Sequence, residues 1–158
     1  MDISILDIVR SINEAISDQV LPEIEAQSWP ASRLRSCNVL LTYLEDLLSY
    51  EQSVLRDSNQ NMKVFLRELF ERARHGGGDI ALQKDGEDCL RRFSQYTLTE
   101  DIKLLRKENR AYKEFLLKIV RSRYGVDKDN LAALHKCLRA VREAESRVAE
   151  RASKLLPL

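Results

Sequence analysis

Few residues in this chain carry groups able to do chemistry, and their spacing argues against most of it. The only histidines are His75 and His135, and neither has a Glu three residues before it. A carboxylate-bridged metal centre in a helix bundle needs two inward-facing E-x-x-H motifs, so metal catalysis is not expected. Cys37, Cys89 and Cys137 are odd in number, far apart and without a C-x-x-C pairing, so no zinc knuckle or disulfide framework is indicated. Cys137 lies two residues from His135, which puts the pair on different faces of a helix and denies the thiol a base. His75-Gly76-Gly77-Gly78-Asp79 lacks the Lys-Ser or Lys-Thr of a phosphate-binding loop and reads as the end of a helix. The expectation is a non-enzymatic chain with no metal and no cofactor.

What remains is polar residues set within apolar stripes. Leu131, Leu134, Leu138, Val141, Glu145, Val148, Ala152 and Leu155 recur at 3,4 spacing, a heptad seam interrupted only by Glu145. Such a seam makes a long helix with a narrow sticky edge. Two coverings are open: the rest of the chain, which is the default, or a partner interface, with a homodimer as the main form. Glu145 then either sets register and partner choice, screened by Arg142 and Arg151, or sits at the solvent edge. Asn38, Arg72, Asn109 and Tyr112 are candidates for bracing a helix contact or lining a ligand site, since a buried polar group must be hydrogen-bonded.

The elements that must position these residues are helices. Gly and Pro total eight in 158 residues, and 44% of the chain is hydrophobic and 32% charged. That composition suits long amphipathic helices in one domain able to bury roughly 70% of its unfolded surface. The pattern predicts an all-α bundle of five to six helices, with a long heptad-patterned helix at the C-terminal end. A first amphipathic helix covers 3–21, with Pro22 ending or kinking it. Ser28-Trp29-Pro30 starts a second helix over 31–56, whose apolar face includes the parallel seam Leu40, Leu47 and Val54. Asp57-Ser58-Asn59 breaks it and caps a third, 60–74. A Gly-rich loop spans 75–87, closed by Gly86, and a short helix covers 88–96. Thr97-Leu98-Thr99-Glu100 is a capping box opening a helix to Tyr124. The last helix runs through 126–155. The whole, 1–158, is a single helical domain with a first half over 1–74 and a second over 88–124.

Charge is divided along the chain. Residues 1–60 carry a net −6 and residues 61–158 a net +7. Complementarity within the fold is the simplest use of that split. The Met1 end lacks the basic and apolar regions of a signal peptide, and no run approaches the ~20 apolar residues of a membrane span. A cytoplasmic chain with no membrane contact is expected. The basic residues leave two other partner classes open. Arg33, Arg35, Arg72, Arg74 and Lys84 could attract an anionic acyl or nucleotide ligand. Lys103, Arg106, Lys107, Arg110, Lys113, Lys118, Arg121 and Arg123 could meet nucleic acid, ranked last because acids interleave with them.

Several short runs resemble a small bacterial family of uncharacterised helical proteins. They are Val20-Leu21-Pro22-Glu23-Ile24, Arg35-Ser36-Cys37-Asn38-Val39-Leu40, Leu66-Arg67-Glu68-Leu69 with Arg72, Arg74 and Gly76, and Glu108-Asn109-Arg110-Ala111-Tyr112. The resemblance covers roughly residues 5–113. Members are typically encoded beside an aminoglycoside-phosphotransferase-like kinase and an acyl-CoA dehydrogenase. The resemblance implies an accessory role for that kinase, which in such clusters is associated with hydroxyacyl-CoA substrates. The chain departs from the family's N-P-x-Y ending, having Asn109-Arg110-Ala111-Tyr112 and continuing as helix. The heptad segment 126–158 lies outside the resemblance.

Overall fold

In a computed structural model, the described residues are 4–76, 80–94, 101–122 and 128–155, with side chains described for all of these except 73–76, 80, 94, 128–130 and 155. They form α1 (Ile5–Glu14), α2 (Trp29–Gly76), α3 (Ile80–Ser94), α4 (Ile102–Ser122) and α5 (Lys128–Leu155), with no strand among them. The helical class and the long C-terminal helix agree with the sequence pattern.

The helix starts follow from side-chain capping. Ser4 and Asp7 form a reciprocal capping box at α1. The helix relaxes into a π-helical stretch, Ala15–Val20, and a 3-10 turn, Leu21–Glu23, which holds Pro22. Ser28 caps α2, its Oγ accepting from the Ala31 amide at 3.3 Å. Asp101 caps α4, its carboxylate accepting from the Lys103 amide at 2.8 Å. The expected cap Thr97-Leu98-Thr99-Glu100 lies outside the described residues.

Two expectations fail for physical reasons. Asp57-Ser58-Asn59 does not break the second helix: α2 runs through it for 48 residues, about 72 Å. Ser58 and Asn59 are buried and hydrogen-bonded to α4, so their polar groups serve tertiary contacts instead of caps. The expected loop over 75–87 is also shorter, because α3 begins at Ile80 and contains Gly86. Gly86 closes no loop there. A Cβ at that position would lie 2.6 Å from Phe70 Cε2 and 2.7 Å from Phe115 Cζ, so only glycine lets the rings pack against α3.

The core joins the second half of α2 to α3, α4 and α5. Met62, Leu66, Leu69 and Phe70 from α2 meet Phe93, Tyr112, Phe115, Leu116 and Ile119, with Leu134 and Val141 from α5. Edge-to-face rings, Phe70 on Phe115 and Phe93 on Tyr112, fix its centre. The first half of α2 has α1 as its neighbour. This upper arm is held by polar bonds: Arg10 to Glu45 at 2.9 Å, Asn13 to Thr42 at 3.1 Å and Asn38 to Ser17 at 2.8 Å.

Candidate functional site

The heptad seam of α5 turns inward. Leu134 and Val141 are core residues and Leu138 is packed against them, so a partner interface centred on these three is corrected to an intramolecular one, covered mainly by α2. Leu131 is exposed, Val148 half-buried, and the side chain of Leu155 is outside those described. Glu145 lies at the solvent edge and pairs with Lys113 of α4, while Arg151 stacks on Tyr50, 4.6 Å from the ring centre.

Asn109 and Tyr112 belong to a buried polar cluster between α2 and α4. Asn109 Nδ2 donates to Asn59 Oδ1 at 2.8 Å and to Ser58 Oγ at 3.3 Å. Asn59 Nδ2 donates to Glu108 Oε2 and the Leu105 carbonyl, both at 3.0 Å. Lys63 Nζ lies 3.2 Å from Glu108 Oε1, an ion pair with both side chains almost fully buried. A cleft of about 250 Å³ bordered by Arg56, Asp57 and Gln60 adjoins it. Asn109 is therefore a brace. Lys63 and Glu108 are not among the residues expected from the sequence, although Leu105, Glu108 and Tyr112 fall on one helical face, a visible signal.

Burial and then the neighbouring Glu108 charge push the Tyr112 hydroxyl well above the usual phenol range. Folding thus favours neutral Tyr112. Its contribution to stability is present below pH about 10, where the unfolded chain's tyrosine is also neutral, and is lost as pH rises past that value. Tyr112→Phe is expected to flatten the fall of urea-unfolding free energy between pH 9 and 11. An unchanged slope in the variant would refute this account.

The other candidates do not converge. Asn38 braces the arm and Arg72 is exposed on the last turns of α2. Arg33 and Arg72 are roughly 60 Å apart along one helix, so the five cations considered for an anionic ligand do not share a site. Arg74 has no described side chain. On α4, Arg106 is spent on a bidentate pair with Glu51 at 2.7 Å and Lys113 on Glu145, while Lys103, Lys107, Arg110, Lys118 and Arg121 are exposed and Arg123 is outside the described residues. His135 is exposed, and the side chain of His75 is not among those described. Burial raises the Cys89 and Cys137 thiols, which makes them less reactive. Among the described residues no cluster of three metal-ligating side chains occurs, and no helix is long and apolar enough to cross a membrane.

The feature that stands open is a face of α2. Trp29, Leu40, Tyr43, Leu47, Tyr50 and Val54 share it at helical spacing. From Tyr50 onward it lies under neighbours: Arg151 of α5 covers Tyr50, and Arg106 of α4 meets Glu51. Above that level the face is bare. Trp29 is 70% exposed, Leu40 61% and Tyr43 49%. Where α4 and α5 diverge, a groove of about 470 Å³ opens, floored by Val54, Leu55, Val148, Ala149 and Ala152 and rimmed by Glu51 and Glu145. The chain matches no protein-family model, no curated protein and no solved structure.

Proposed function

We propose that this chain is a non-catalytic accessory protein that works by protein–protein contact through the bare face of α2. The observation that carries the reading is the group of exposed Trp29, Val39, Leu40, Tyr43 and Leu44 on a helix whose lower half packs against α3, α4 and α5. Large apolar side chains left exposed together on one helix mark interaction sites, and Trp and Tyr are the residues enriched at their centres. The resemblance noted from the sequence supplies the candidate client, an aminoglycoside-phosphotransferase-like kinase associated with hydroxyacyl-CoA substrates. Binding of a kinase of this class from the same genome is expected to weaken at least tenfold in Leu40→Glu/Tyr43→Glu, with the helical circular dichroism retained. Equal retention of the kinase by both chains would remove this face from the reading.

The groove beside Val54 favours a second reading, a small-ligand module for an anionic acyl or nucleotide group. Its size falls in the range of small-molecule sites. Both carboxylates on its rim are opposed by bases, and Arg110 also lines it. Thermal stabilisation by a CoA ester or nucleotide that is lost in Arg110→Ala would favour this reading over the first.

A further inference from the structure

We infer that the occupant of the bare α2 face is a second copy of this chain, paired antiparallel so that Trp29 of each copy enters the groove between α4 and α5 of the other. The inference rests on the interaction reading above and names the partner of that same face.

Four observations lead to it. The first is surface. Trp29, Val39, Leu40, Tyr43 and Leu44 are large apolar side chains left between 41% and 70% exposed on one arm of the fold, where a stable interface would remove them from water. The second is length. The bare span from Trp29 to Leu47 is about 27 Å and ends where α4 and α5 begin to cover α2. An identical helix laid antiparallel along it, with the two-fold axis near residue 41, brings position 29 of one copy level with position 53 of the other. Each tip then reaches the other's groove.

The third observation is an anchor matched to a pocket. Trp29 is the largest exposed apolar side chain, and the groove at Val54 and Leu55 has an apolar floor with room for an indole. Aromatic anchors seated in such pockets dominate interface energies. The fourth is charge. The acids of the arm leave the pairing face free: Asp7, Glu14, Asp18, Glu23 and Glu25 come from α1 and the stretch after it, which pack on another side of α2 through Thr42, Glu45 and Asn38, and Asp46 of α2 lies off the line of Leu40, Tyr43 and Leu47. Across a two-fold axis the same patch meets itself, so each copy contributes one anchor and one groove.

Because the chain has one tryptophan, its fluorescence reads the proposed contact directly. Sedimentation of the full chain at micromolar concentration is expected to give twice 18.3 kDa. The emission is expected to be blue-shifted there and to move red on dilution. Trp29→Ala and Leu40→Glu are expected to yield monomers with unchanged helical content. A Trp29→Cys chain mixed with a Val54→Cys chain, both carrying Cys37→Ser, Cys89→Ala and Cys137→Ala, keeps one Trp29 anchor in the mixed pair and is expected to form a disulfide-linked pair under mild oxidation. Within one chain these positions are roughly 37 Å apart, so the link reports only the antiparallel pairing.

A monomer at all concentrations overturns the second copy as occupant. If that monomer binds the kinase and Leu40→Glu abolishes the binding, the interaction reading survives with a different partner. A monomer that binds no kinase overturns both. A dimer of normal mass in both Trp29→Ala and Leu40→Glu overturns the placement.

Discussion

Glu108→Leu is expected to lower the unfolding free energy by about 3–5 kcal/mol, the cost of taking the carboxylate away from a buried ammonium. Lys63 and Glu108 are among the few charged side chains taken out of solvent, at 3% and 1% exposure. The leucine fills a similar volume, so the loss comes from the buried ammonium deprived of the Glu108 carboxylate and from Asn59, which keeps the Leu105 carbonyl but loses a carboxylate acceptor. The same variant carrying Lys63→Met removes the second charge as well. Its stability is expected to recover to wild type or beyond, because replacing a buried pair by apolar groups is often neutral or stabilising by about 1–4 kcal/mol. Urea unfolding of the two single variants and the double variant gives the coupling energy directly. A loss under about 1 kcal/mol in Glu108→Leu would mean that water from the adjoining cleft solvates Lys63, and the pair would then be a surface feature.

This cluster shows where local patterning stops informing. Ser28 before Trp29-Pro30 starts a helix because the capping oxygen is supplied within three residues, and the sequence is enough to see it. Asp57-Ser58-Asn59 carries the same local signal, yet its polar groups are consumed by Asn109, Leu105 and Glu108, some fifty residues away. Gly86 reads as a loop residue until the Phe70 and Phe115 rings are placed beside it. The apolar period through Leu40, Leu47 and Val54 was visible from the start. What the period lacks is the level at which α4 and α5 leave α2, which depends on how three helices register in space. The bare face is therefore written in the sequence as pattern and decided by packing as exposure. Arg33 and Arg72 were grouped on charge alone, and one uninterrupted helix separates them.

Leu134→Ala is expected to cost about 2–5 kcal/mol, and Leu40→Ala less than about 0.5 kcal/mol, although both leucines occupy equivalent-looking heptad positions. Leu134 is 1% exposed among core side chains, so truncation removes its transfer energy and leaves a cavity. Leu40 is 61% exposed in the single chain, so truncation removes little. The comparison must be made at concentrations low enough to keep the chain monomeric, since a second copy over Leu40 would stabilise the folded form by mass action. Raising the protein concentration should then separate the two sites again. The apparent midpoint of wild type and Leu134→Ala should rise with concentration, and that of Leu40→Ala should rise less. A cost at Leu40 as large as at Leu134 in the monomer would mean that the upper face of α2 is covered within the chain. Charge substitutions follow the same logic: Val141→Glu puts an unpaired carboxylate into the core and should unfold the bundle, whereas Leu40→Glu should leave the fold intact and change only what binds to it.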